Sequence, residues 1–454
     1  MRPIVVVGAG IVGASIAYHL ARAGAPVVVI GRDAGVTAAS FAWIGGDQSG
    51  DWPGGAAGLA RFVSADWRRV EREVPEVGVR WCGSLRWPPE AGAPRAVAER
   101  SAAGSDSWPG SPRQVAAEIG PGAGSLRQAV AGSGSGPGSF GQAVAGNGSG
   151  PGSLRQAVAG NGSGPGKADG VGPVLVGADE IAMLEPHLRI FPEGAIYTAG
   201  DGGVDPVRAA RALLAAAGRF GARLVSGATV IGIRADGVDS TVGFLPASAV
   251  VLAAGAGTAA LARRATIAGE GAAVLGQVSA RGAGPGPGTA AAPSAVGVAG
   301  LGAGGRIGGV SPALLIRIRA DRAGLVRGIV ASPGLEIREV RDRELLVAAA
   351  LPPEWSWADL RDSAHRALRQ LQDTFTGGDH LLRGWRVGVR PMPVGGPVIG
   401  WLTPDIYVAV MHSGVCLAPA VGRLVTAEII SDRPTPDLDG CRPAALTHAA
   451  DPRR

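Results

Sequence analysis

Apolar residues follow two rhythms along this chain. Residues 4–7 and 27–30 are short, unbroken β-branched runs, the pattern of strands buried on both faces. Between them Ile11, Ile16, Ala17 and Leu20 recur at helical spacing and give one helix a packing stripe. Further on, the pattern predicts a strand at 81–87, a helix at 206–220, and strands at 223–225, 229–233 (with Val230) and 249–253. An amphipathic helix follows at 364–375, then a strand at 407–410 and a helix at 417–430 opened by Pro419. Strands alternating with helices predict an α/β fold on a parallel sheet.

The rhythm stops between 102 and 171. Three near-identical 14-residue units stand in tandem there: GSLRQAVAGSGSGP from Gly124, GSFGQAVAGNGSGP from Gly138 and GSLRQAVAGNGSGP from Gly152. A decayed relative begins at Gly110. Each unit has few apolar residues and many glycines, too little surface to offset the entropy of ordering its backbone. We read 102–171 as a duplicated, flexible, low-complexity insertion, and the Gly/Ala/Pro-rich stretch 282–309 as a second extended loop. These segments account for much of a composition in which 75 glycines and 34 prolines approach a quarter of the 454 residues.

Net charge is +6, and the arginines that carry it are scattered. With no basic patch and no interleaved aromatics, a nucleic-acid surface is not expected. Cys82, Cys416 and Cys441 lie far apart, without CxxC pairs or metal-ligand spacing, as in a reducing compartment. The apolar N-terminus and the uncharged stretch 244–262 are both interrupted by glycines, so no stable membrane insertion and a cytoplasmic location are expected.

The first βαβ unit carries the clearest chemistry. In IVVVGAGIVGASIAYHL, Gly8 permits a tight turn, Gly10 lets backbone approach a pyrophosphate, and Gly13 lets the helix sit close on the sheet. Ile11 and Val12 then present the helix N-terminus to phosphates. The acid that usually ends the second strand and grips a ribose is replaced by Gly31, followed by Arg32 and Asp33. Either Asp33 reaches back, or backbone and Arg32 hold the adenosine, or Arg32 faces a 2′-phosphate, which would make the cofactor NADP.

The segment GWRVGVRPMPVGGPVIGWLTPDIYVAVMHSGVCLAPAVGRLVTAEIISDR, 384–433, resembles the close of the FAD-dependent amine oxidoreductases of the D-amino-acid oxidase, glycine oxidase and sarcosine oxidase group. Arg390, Pro391, Gly396, Pro397, Ile399 and Gly400 match its strand pair. His412, Ser413, Gly414, Leu417, Ala418, Pro419 and Gly422 match its final turn and helix. TAASFAWIGG (37–46), IAMLEPHL (181–188) with GGVDPVRAARAL, and VVLAAGAG (250–257) agree in order, whereas 263–330 matches thinly.

The resemblance implies FAD, with the ring reached by Ser40, Gly45, Gly46 and the 412–415 turn, and with Val230, Ala254, Gly255, Gly414 and Val415 also at the cofactor. It implies non-covalent attachment, since Val389, Arg390 and Pro391 stand where sarcosine oxidases carry the linking cysteine. The expected reaction is hydride removal from an amine-bearing carbon of an amino acid or N-methyl amino acid, with O2 or another acceptor taking the electrons. His412 is a candidate for orienting the ring or tuning the substrate amine. Arg338, Arg386 and Arg390 are candidates for clamping a carboxylate, Arg338 foremost, with Arg390 read chiefly as fixing the loop or approaching the flavin. Trp43 is the tryptophan expected to line the site. The expected architecture is a discontinuous Rossmann-like FAD-binding domain (1–75, 200–262, 376–440), an α+β substrate domain on a mainly antiparallel sheet (76–199, 263–375), and a tail at 441–454. An NADP-linked Rossmann dehydrogenase and a degenerate, non-catalytic flavin-binding subunit are the alternatives.

Overall fold

The computed structural model describes residues 1–32, 35–45, 54–87, 172–189, 191–267, 309–332, 334–351 and 355–443. The repeats, residues 282–308, Asp33, Gly46 and the chain beyond 443 lie outside these residues.

Six strands form the first sheet, in the order Val398–Thr403, Ile406–Val410, Ala249–Leu252, Ile4–Val7, Val27–Gly31, Arg223–Ser226. All neighbours run parallel except the edge pair Val398–Thr403 and Ile406–Val410. The unbroken apolar runs follow from burial on both faces. Ile4 and Val6 pack under the helices Ile11–Arg22, Pro206–Arg219 and Gly414–Ser431. Val5 and Val7 pack against a three-stranded antiparallel sheet, Val230–Arg234, Gly237–Ser240 and Gly243–Pro246, and the helix Thr258–Ile267.

The second sheet has eight strands, ordered Leu381–Pro391, Val310–Arg319, Glu344–Ala350, Leu335–Arg341, Ile329–Ser332, Ser84–Arg86, Gly194–Thr198, Val174–Gly177. Its pairs are antiparallel except Ile329–Ser332 with Ser84–Arg86. The helix Trp357–Thr374 covers one face through Leu360, Ala364, Ala367 and Leu371. The opposite face packs Leu315, Ile329, Val340 and Leu346 against Phe41 and Trp43 of the first domain. The strand Leu381–Pro391 falls inside the segment 376–440 assigned to the nucleotide domain, yet it pairs along its whole length with Val310–Arg319. The second sheet therefore reaches to Pro391.

Two helix starts differ from expectation for local reasons. The helix placed at 364 begins at Trp357, because Ser356 and Asp359 form a reciprocal capping box: Ser356 Oγ accepts from the Asp359 amide and Asp359 Oδ2 from the Ser356 amide. The last helix begins at Gly414, which places Pro419 inside it and not in its first turn. Proline at 419 removes the donor that would serve the Val415 carbonyl. Trp67, fully buried, supplies a replacement: its Nε1 donates to Val415 O at 3.2 Å and to Cys416 O at 3.0 Å. Trp67→Phe should cost about 1–3 kcal/mol by leaving that carbonyl without a donor, visible as a lower Tm in thermal denaturation; an unchanged Tm would count against this account of the proline.

Among the described residues, Gly414–Ser431 is the one helix long and apolar enough to cross a bilayer, and 67% of that window is buried inside the protein. It crosses the Ile11–Arg22 helix closely. Ser15 Oγ donates to Ala418 O at 2.8 Å, and a Cβ at Gly422 would lie 2.4 Å from that hydroxyl.

Candidate active site

The two helices that cross in the core also open into one cavity of about 880 Å³ between the sheets. Gly10 leads into the first helix in extended conformation, with no side-chain cap, and Ser413 likewise leaves the last helix without one. Gly10, Ile11 and Val12 line the cavity from one side, and Ser413, Gly414 and Val415 from another. Uncapped N-termini carry free amides and the positive end of the helix dipole, so this cavity suits anionic groups at two places. Part of the first set is occupied: Thr37 Oγ1 accepts from the Ile11 amide at 3.1 Å.

Gly8 and Gly13 meet the steric demands that their spacing predicts. Gly8 has φ +123°, and a Cβ there would meet the Ala253 carbonyl oxygen at 2.3 Å. Gly13 does not line the cavity, but a Cβ on it would lie 1.9 Å from Gly8 O, so its role is close helix packing. Gly31 explains the missing acid sterically: a Cβ there would sit 2.9 Å from the Ala9 amide nitrogen. That end of the cavity is lined by Arg32, Thr229, Val230 and Arg264. Arg264 Nη1 is held by Ile231 O at 3.2 Å.

Of the remaining expected residues, Ser40, Ala254, Gly255, Arg390 and His412 line the cavity. Gly45 is buried beside it and is not among the lining residues, while Asp33 and Gly46 lie outside the described residues. The loop expected under the ring supplies Val36, Thr37, Ser40, Phe41, Ala42 and Trp43. Ala42 adopts φ +56°, and Ser40 Oγ accepts from its amide at 3.1 Å, fixing the bend. Trp43 is anchored by Asp201 Oδ2 at 2.9 Å, which also accepts from Ser84 Oγ at 2.7 Å.

Arg338 is not at the cavity. It is 2% exposed, donates from Nε to Phe41 O at 2.8 Å and from Nη2 to Val204 O at 2.5 Å, and lies over the Phe41 ring. These two bonds tie the second sheet to the first domain, and burial pushes the Arg338 pKa down to about 10. Arg386 is exposed. Arg390 is the arginine of the three that reaches the cavity, steadied by Ser311 Oγ at 2.9 Å. Glu336, which no sequence motif singles out, lines the same region, as do Arg366 and Gln370. Among the described residues no cluster of three His, Cys, Asp or Glu could hold a metal.

Two histidines are kept neutral. Burial, reinforced by Arg390, pulls the His412 pKa down to about 3. Burial also pulls His19 down to about 4, although its Nδ1 lies 2.9 Å from Ser15 O. A folded pKa below the unfolded one gives stability that is complete above pH ~6.5 and is lost as the pH falls. His19 alone should cost roughly 3 kcal/mol between pH 7 and pH 4, and Tm should drop steadily across that window; a flat profile would contradict it.

The FAD dependent oxidoreductase family, DAO, has a model that matches residues 3–428. The structure is similar to glycine oxidase from Geobacillus kaustophilus, with TM-score 0.63 and 20% identity over 98% of this chain and 99% of that one. It is similar to iminodiacetate oxidase from Chelativorans sp. BNC1, with TM-score 0.62 and 18% identity over 97% and 98%. It is also similar to L-amino acid deaminase from Proteus vulgaris lacking its specific insertion, with TM-score 0.64 and 15% identity over 98% and 94%. No curated protein sequence matches.

Proposed function

Because the chain belongs to the DAO family of FAD-dependent oxidoreductases, we propose that it oxidises the carbon–nitrogen bond of an amino acid or N-methyl amino acid. The observation that carries this reading is the convergence of two uncapped helix N-termini, at Ile11 and Gly414, on the cavity that also holds Arg390, Glu336 and His412. The solved structures it is similar to include a glycine oxidase, an iminodiacetate oxidase and an L-amino acid deaminase, which act on this class of compound by their names.

The residues fit FAD. Gly8, Gly10 and the Val12 end of the first helix would face the pyrophosphate, while Arg32 and Arg264 lie at the end where Gly31 would leave the ribose without a carboxylate. Bound FAD supplies a two-electron acceptor for a hydride. The Gly414 and Val415 amides, at the uncapped start of the last helix, would stabilise negative charge arising on a ring held beside them. Arg390 takes the substrate carboxylate, with Ser311 fixing its orientation. His412, held neutral by burial and by Arg390, adds no competing cation. Trp43, Phe41 and Leu315 keep water from the reacting carbon. The electron acceptor, O2 or another, completes turnover. Cys82, Cys416 and Cys441 are free thiols, which supports a cytoplasmic setting.

Anaerobic mixing of the purified protein with glycine, sarcosine, iminodiacetate and a panel of D- and L-amino acids tests the reading. At least one should bleach the flavin's visible absorbance. Bleaching by none would favour a non-catalytic flavin-binding subunit.

A further inference from the structure

Glu336 is the single carboxyl among the described residues that line the cavity, against four arginines: Arg32, Arg264, Arg366 and Arg390. Arg32 and Arg264 lie at the Val230 end. Glu336 stands on the strand Leu335–Arg341 of the second sheet, two residues before Arg338 and on the same face. Burial raises the pKa of its carboxyl, and the charge of Arg390 opposes that rise. An acid that only stabilised the fold would be paired off, as Glu185 is by the Arg327 and Gly328 amides. Glu336 instead lines the cavity within electrostatic reach of Arg390, the cation read as receiving the carboxylate.

We propose that Glu336 determines specificity for the substrate nitrogen, pairing with the ammonium of an amino acid and accepting the proton that nitrogen must lose. This rests on the amine-oxidation reading and adds the group that recognises the amine. One N–H bond of the ammonium breaks and one O–H bond forms on the carboxylate. The nitrogen lone pair so released makes the C=N bond as the α-hydrogen leaves with its electron pair to FAD. Burial pushes the Glu336 carboxyl up to about 7 while Arg390 opposes the shift, so it exchanges a proton near neutral pH. The other titratable groups at this end, Arg366 and the neutral His412, offer no carboxylate.

The test compares the wild-type holoenzyme with Glu336→Gln by calorimetric titration. One probe is α-aminoisobutyrate, which has an ammonium but no α-hydrogen and is not oxidised; the other is isobutyrate, a carboxylate alone. The Glu336→Gln variant should bind α-aminoisobutyrate about tenfold or more weakly and bind isobutyrate as before or more tightly. Equal changes for both probes, or none, would overturn the recognition role. With an amino acid that bleaches the wild type, anaerobic flavin reduction should slow by about 10²-fold in the variant and lose its acidic limb near pH 7; a retained limb would overturn proton acceptance. If no amino acid bleaches the wild type but the titrations still differ, the oxidation reading falls and recognition by Glu336 stands.

Discussion

Alanine at Gly13 should produce a protein that no longer retains FAD. The added Cβ would stand 1.9 Å from Gly8 O and 3.0 Å from its carbonyl carbon. Both are backbone atoms of a turn that is itself pressed against Ala253, so no side chain can swing away. The helix Ile11–Arg22 has to lift from the sheet, and its N-terminus moves away from the cavity that Gly10, Ile11 and Val12 line. Overpacking of this kind costs on the order of 1–3 kcal/mol, and the stabilisation contributed by bound cofactor is lost in addition. The ratio of visible to ultraviolet absorbance after purification reads the first effect and Tm the second. Gly218→Ala is the matched control: it too is a helical glycine, but nothing lies within 4 Å of its Cβ position. There alanine should be neutral or stabilising by about 0.5–1 kcal/mol. A yellow Gly13→Ala protein with unchanged Tm would show that helix and turn are not in contact.

Arg338→Ala should be the most destabilising change in the second sheet, at about 3–5 kcal/mol. It empties a fully buried volume and leaves Phe41 O and Val204 O without their donors. Those carbonyls belong to the loop beside the cavity and to the segment leading into the Pro206–Arg219 helix, so the two domains lose a shared clamp. Lysine cannot replace it, since one ammonium does not reproduce the planar fork that reaches both oxygens. The readout is a split between stability and kinetics. A structural clamp lowers Tm sharply and releases flavin. A substrate clamp would leave Tm in place and raise only KM, and that result would restore the expectation drawn from sequence.

The fate of these arginines shows what the chain discloses on inspection and what it conceals. The glycine turn was readable because three spaced glycines answer three local steric demands, and the structure has Gly8 and Gly13 meeting theirs. The 412–415 turn was readable through a motif that closes a whole family. Arg338 and Arg390 look alike as letters: each is an arginine in a strand. Their difference lies in which carbonyls arrive beside them, and Phe41 is 297 residues from Arg338 in sequence. Gly203 leaves the room this packing needs, since a Cβ there would lie 2.8 Å from the Arg338 guanidinium. Glu336 carries no sequence signal, because alternation along LEIREV marks a face without saying what lies opposite. Pro419 was misplaced for a similar reason, as the tryptophan that makes it tolerable inside a helix is Trp67.

The hydroxyl of Ser15 and the carbonyl of Ala418 that it meets are 403 residues apart. On the ribosome, the glycine turn therefore emerges long before the helix Gly414–Ser431 that closes the other side of the cavity. The nascent βαβ unit also lacks its neighbour strand Ala249–Leu252, so that edge of the sheet waits unpaired through about the first half of translation. Flavin capture should thus be a late, post-synthetic event. Free FAD in the growth medium or cell, by trapping the closed form, should raise the yield of soluble protein more than slower expression does.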